Sequence, residues 1–133
     1  MSPAHRTNIA PWLSVDDATR AVDFYKAAFG VMVLSLLGGD DGGVQVAQLA
    51  VEGATFWVQQ DIDAFPDASR PPSVRMILSV DDPDAALERA IAAGAKLVAP
   101  VHEDFGWRTG RFTDPSGHDW EVSKQVTPPA GEM

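Results

Sequence analysis

Leu13-Ser14-Val15-Asp16-Asp17 returns letter for letter as Leu78-Ser79-Val80-Asp81-Asp82. A repeat of this kind fixes architecture before any single motif can, because each copy marks one structural unit. The residues after the two copies match in kind as well. After the first, Ala18, Ala21, Val22, Tyr25, Ala28 and Phe29 recur at helical spacing, with Asp16 or Asp17 available as N-cap and Gly30 placed to end the helix. After the second, Asp82 is the cap candidate and Pro83 suits the first helical position. Ala86, Leu87, Ala90 and Ile91 form the apolar stripe, and Gly94 closes it.

Working outward, each helix comes after a short apolar strand, residues 8–15 and 74–80, and precedes three strand-like segments. These are 31–37, 44–51 and 54–60 in the first half, and 96–100, 109–114 and 118–124 in the second. Glu52-Gly53 makes a tight connection, and Asp114-Pro115-Ser116-Gly117 carries type I turn residues at the right places. The chain therefore reads βαβββ twice. One domain spans 1–133, with a first module at about 8–60, a Pro- and Asp-rich linker at 61–73, and a second module at about 74–124. The expected class is α+β: two modules forming a curved mixed sheet with helices outside, enclosing a cleft.

Composition narrows the function classes. A chain of 133 residues with 45% hydrophobic content, four Trp and six Phe is globular and can bury one substantial core. Without cysteine there are no disulfides, iron–sulfur clusters, thiolate zinc sites or cysteine nucleophiles. No apolar run reaches a membrane span, and residues 1–6 lack the apolar stretch of a secretory signal, so a cytoplasmic location is expected. Nineteen acidic against ten basic residues give a net charge of −9, which repels a phosphate backbone and argues against nucleic acid. The acidity serves solubility or attracts a cationic ligand; composition does not separate the two.

Val15-Asp16-Asp17 leading into Phe24-Tyr25-Lys26-Ala27-Ala28-Phe29-Gly30 resembles the first module of the glyoxalase/bleomycin-resistance/dioxygenase (vicinal oxygen chelate) superfamily. Ala92-Ala93-Gly94-Ala95 and the stretch Gly110-Arg111-Phe112-Thr113-Asp114-Pro115-Ser116-Gly117-His118-Asp119-Trp120-Glu121 resemble the second, so the likeness runs over about 8–122. The superfamily holds metal-dependent glyoxalases, dioxygenases and epimerases beside metal-free antibiotic-binding proteins. Fold alone leaves function open.

Its enzymes hold a divalent metal with His and Glu side chains from the first and last strand of each module. The repeat carries those positions over: Ala10 and Arg75 stand five residues before Val15 and Val80, Glu121 four after Gly117, and Trp57 is its counterpart in the first module. Only Glu121 can ligate a metal. Ala10 has no donor, an indole offers no usable lone pair, and Arg75 stays protonated. The histidines do not repair the set: His5 lies in the N-terminal tail, His102 in a loop after Pro100, and His118 alternates away from Glu121. No metal and no other cofactor is expected. An Arg75–Glu121 ion pair is expected in the metal's place, since a lone buried carboxylate is costly and an arginine fork is its natural partner.

Strand alternation extends the inward-facing set to Asn8, Trp12 and Ser14, to Thr55 and Gln59, to Ile77, and to Asp119 and Ser123. The candidate ligand-binding residues are Trp12, Trp57, Gln59, Arg75, Trp107, Arg111 and Glu121. The competing reading places Trp12 and Trp57 in the core. Phe105-Gly106-Trp107-Arg108 reads as a loop at the cleft mouth, either a lid or an ordinary turn with Trp107 under a helix. Trp120 is core. Gly38-Gly39-Asp40-Asp41-Gly42-Gly43 lacks the Lys-Ser/Thr of a phosphate loop and reads as a hairpin tip, and the tail from Val126 to Met133 reads as frayed.

Three functions compete. The first is a homodimeric small-molecule-binding protein resembling the antibiotic-sequestering bleomycin-resistance proteins. The second is a metal-independent lyase or isomerase acting on a small carbonyl metabolite, with Glu121 (the one catalytic candidate) or Asp119 as base and Arg75 or Arg111 as oxyanion partner. The third, a metal-dependent glyoxalase or dioxygenase, ranks last.

Overall fold

The computed structural model describes residues 7–39, 42–62 and 74–126. His5, Asp40, Asp41, most of the linker (63–73) and the tail from 127 onward lie outside the described residues. The elements run β1 (Trp12–Val15), α1 (Ala18–Phe29), β2 (Met32–Gly38), β3 (Val44–Val51), β4 (Ala54–Gln60), β5 (Arg75–Ser79), α2 (Pro83–Ala92), β6 (Lys96–Asp104), β7 (Trp107–Thr113) and β8 (Asp119–Gln125). That is βαβββ twice.

Local chemistry explains the boundaries. Asp17, not Asp16, caps α1 by accepting from Arg20 N at 3.0 Å, and Gly30 ends the helix in the left-handed region at φ 66°. Asp82 caps α2 through Ala85 N at 3.1 Å, with Pro83 in its first turn. β1 is shorter than expected, because Pro11 has no N–H for the ladder and only its carbonyl joins, accepting from Trp57 N. β6 is longer than expected. It runs past Pro100 to Asp104 through an irregular register, which places His102 in a strand and not in a loop.

Each module forms a four-stranded mixed sheet, ordered β1-β4-β3-β2 and β5-β8-β7-β6. In each, the first and last strands pair in parallel and the remaining pairs are antiparallel. The α+β class and the doubled unit match the sequence reading. Each module contributes its own four-stranded sheet, with no ladder joining the two among the described residues. Helix α1 packs on β3 and β4, α2 on β6, β7 and β8, and the helices pack on each other. One core results, in which Leu13, Val15, Leu49, Phe56 and Val58 of the first sheet meet Phe112, Trp120 and Val122 of the second around Tyr25. Phe29 bridges the modules, its ring 4.9 Å from that of Trp120 and 6.1 Å from that of Phe112. Both sheets thus turn their helix side into a shared core, and their other faces stay open.

Candidate functional site

The open face of the first sheet is an uncharged wall. Trp12 and Trp57 are register partners on β1 and β4, and their rings stack with centroids 5.7 Å apart at 25°. The next partners, Ser14 and Gln59, lie on the same face, and the Trp12 indole N–H donates to Gln59 Oε1 at 2.8 Å. Trp12 is 52% exposed and Trp57 half-buried, so neither is a core residue. Their neighbours Leu13 and Val58 fill the core instead, as alternation along a strand demands.

The open face of the second sheet carries the charge. Ile77, Glu121 and Arg111 share one register row across β5, β8 and β7, and Arg75, Asp119 and Thr113 share the next. The ion pairs run diagonally between rows: Arg75 Nε lies 3.3 Å from Glu121 Oε1, and Arg111 Nη2 lies 3.0 Å from Asp119 Oδ2. The first is the pairing expected from the sequence. Nothing in the sequence signals the second; only the strand register brings Arg111 and Asp119 together. Asp119 is buried, so its guanidinium partner offsets a desolvation cost.

Phe105-Gly106-Trp107-Arg108 is not a loop. Phe105 and Gly106 alone form the tip of the β6–β7 hairpin, both at positive φ (52° and 83°), and Trp107 begins β7. Trp107 stands on the same face as Arg111 by alternation and is 40% exposed, so it is not tucked under a helix. Arg108 points the other way. It grips Asp84 of α2 with two bonds of 2.7 Å and reaches Glu103 at 3.1 Å. This fork holds the Asp84 carboxyl below its ordinary range and raises Arg108 above its own. His118 is a strut between modules, its Nε2 2.9 Å from the Ser14 carbonyl.

The chemistry of the carried-over donor set does not fit a divalent metal. Ala10 and Trp57 supply no lone pair, and Arg75 brings a positive charge to the one carboxylate. Among the described residues no three His, Cys, Asp or Glu side chains are grouped to hold an ion. Nor is any described helix long and apolar enough to cross a membrane. A cleft of about 520 Å³ opens at the seam between the sheets, where Ile9, Pro11, Val51, Phe56, Met76 and Trp120 make an apolar lining and Arg75 stands among them. Of the two walls, Thr55, Arg75 and Ile77 also line this cleft.

A model of the glyoxalase-like domain matches residues 12–123, nearly the whole described chain. The chain belongs to the glyoxalase-like family. Uncharacterized protein Mb0911c of Mycobacterium bovis is 34% identical over 126 residues, covering 89% of this chain and 83% of the relative. Among solved structures, TioX from Micromonospora sp. ML1 superposes with a TM-score of 0.70 at 26% identity, over 92% of this chain and 98% of TioX. The fosfomycin resistance protein FosX from Listeria monocytogenes shares the fold alone: TM-score 0.71, 14% identity, covering 91% of this chain and 94% of FosX. The superfamily resemblance read from the repeat is therefore correct.

Proposed function

We propose that this glyoxalase-like protein binds and sequesters a small organic molecule without a catalytic metal. The observation that carries this reading is the Arg75–Glu121 pair at the position where superfamily enzymes keep their ion. The same pair argues against a lyase or isomerase. A base must reach a substrate proton at hydrogen-bond distance, whereas Glu121 is engaged by Arg75 and Asp119 by Arg111. Two walls of opposite character, one aromatic and amide-bearing, one charged and internally neutralised, suit recognition of a ligand's shape and edge groups.

The reading includes a second copy of the chain. The helix sides share one core, and the open faces on the other side of each sheet carry exposed apolar groups. Trp12, Met32, Leu37, Ile77 and Trp107 stay exposed on the open faces or their edges. Two copies related by a twofold axis would each lend one wall to the other, completing two clefts with one self-complementary contact.

Thermal shift of chelator-treated protein against divalent cations and a panel of small organic molecules tests the function. A ligand at a hundred times its Kd stabilises by about 2.7 kcal/mol, a shift of several degrees. An organic hit with no response to metal supports the reading; a shift with metal alone overturns it. For the dimer, the absence of native cysteine makes cross-linking clean. A mixture of Gln59→Cys and Ile77→Cys chains treated with a flexible bismaleimide should give a covalent dimer. Linkage confined to one chain in the double variant would refute the shared cleft.

A further inference from the structure

We infer that the Trp12–Trp57 stack is a platform for a planar aromatic or heteroaromatic ring, with neighbouring glutamine amides reading hydrogen-bond groups at the ring's edge. The inference rests on the proposed binding function and names the ligand class for that site.

Trp12 combines exposure with fixed orientation. A free surface indole is mobile, but this one is stacked on Trp57 and held through its N–H by Gln59. Half of its surface nevertheless remains open. A large π surface already fixed in one orientation loses little entropy on binding, so its contact energy appears as affinity.

The surroundings of the stack set its preference. Gln48 is the cross-strand partner of Trp57, and Gln59 lies two residues along β4 from Trp57 and diagonally from Trp12, so two carboxamides flank the rings. The Gln59 carbonyl is taken by Trp12, which leaves its amide N–H groups as donors on the wall. Ser14, Thr55 and Val46 complete the same face, and none of these side chains ionises. A localised charge on the ligand would be desolvated against this wall, which itself carries no counter-charge. A flat ring with carbonyl or ring-nitrogen acceptors at its edge meets both the π surface and the donors.

The test uses 4-quinolinecarboxamide as the flat probe and cyclohexanecarboxamide as its saturated counterpart, each titrated by proton NMR into the wild-type chain, Trp12→Ala and Trp12→Phe. Stacking of the size known for bases on aromatic side chains is worth roughly tenfold to a hundredfold in affinity. The flat probe should bind with upfield ring-current shifts of its own protons, at least tenfold tighter than the saturated one. Trp12→Ala should remove that advantage and Trp12→Phe should keep most of it, with circular dichroism confirming that both fold. Equal binding of both probes, binding that survives Trp12→Ala, or no binding of the flat probe at millimolar concentration would each overturn the platform. None of these touches the wider binding function, which stands or falls on its own ligand and metal panel.

Discussion

Tyr25, on the helix of the first module, donates its phenol to Asp114, in the turn that closes the second, and the pair is fully enclosed. Asp114 also accepts from Trp120 Nε1 at 2.9 Å, and from Ser116 N and His118 N at 2.9 and 3.0 Å. One carboxylate thus shapes its own turn, fixes the central tryptophan and ties the modules together. Arg20 to the Pro115 carbonyl, His118 to that of Ser14 and Arg89 to that of Ala27 reinforce the joint. The joint keeps the helix sides of both sheets together in one core.

Removing Asp114 should therefore cost much more stability than removing Tyr25, which makes only one of its bonds. Tyr25→Phe takes one donor from a buried carboxylate, a loss of about 1.5–3 kcal/mol. Asp114→Ala strands the phenol, the indole N–H and two backbone amides, so its cost should exceed that of Tyr25→Phe by a further ~2 kcal/mol or more. Urea unfolding checks both: the midpoint should fall in that order with an unchanged slope. A Tyr25→Phe midpoint equal to wild type would mean the bond contributes nothing.

The same pair gives a pH dependence with a definite sign. Burial, and then the adjacent Asp114 charge, raise the Tyr25 phenol well above its ordinary value of 10.0. Above that ordinary value the unfolded chain has lost the phenol proton while the folded one keeps it. Stability then falls by up to about 1.4 kcal/mol per pH unit until the folded phenol itself ionises. Tyr25 is the only tyrosine in the sequence, so phenolate absorbance reports it alone. It should stay flat past pH 10 and rise together with loss of circular dichroism, and Tyr25→Phe should flatten the alkaline loss. A smooth titration near 10 in folded protein would contradict the buried bond.

The Arg75–Glu121 pair should behave differently. Its guanidinium side is 41% exposed, so solvent screens the attraction. A double-mutant cycle with Arg75→Gln and Glu121→Gln should give a coupling below about 1 kcal/mol, read from unfolding midpoints. The role assigned to the pair is occupancy of the family's metal position, not stability. A coupling of several kcal/mol would show it to be a structural bridge instead.

How much of this was legible in the sequence depended on the range of the interaction. The repeat, a cap at Asp16 or Asp17 and another at Asp82, and the inward parity of Trp12, Trp57, Arg75 and Glu121 are legible because they rest on local patterns. Whether Trp12 lay in the core or on an open face was undecided, because parity names a face without saying what covers it. The diagonal Arg111–Asp119 pair depends on strand register, and the Tyr25–Asp114 bond spans 89 residues of chain. The sequence named Asp114 as a turn residue, and nothing local marked it as the joint between modules. The common core that Phe29, Phe112 and Trp120 build between the modules is likewise not revealed by strand-by-strand reading.

Packing of α2 on β7 also leaves little room for a side chain at Gly110. On β7 it lies beneath α2, and a Cβ there would come within 2.9 Å of Leu87 Cδ2 and 3.0 Å of Val101 Cγ2. The Leu87 side chain can rotate away, whereas the β-branched Val101 on the neighbouring strand has fewer rotamers with which to withdraw its Cγ2. Its backbone is not in the left-handed region, so the position demands glycine for space and not for conformation. Gly110→Ala should therefore destabilise by about 1–3 kcal/mol, the usual range for overpacking. Leu87→Ala would leave a cavity on its own, yet it should recover part of that loss when combined with Gly110→Ala. Urea midpoints of the two single variants and the pair decide it: additive losses would mean that the strain lies against Val101 and the sheet, whereas partial rescue locates it at the contact between α2 and β7.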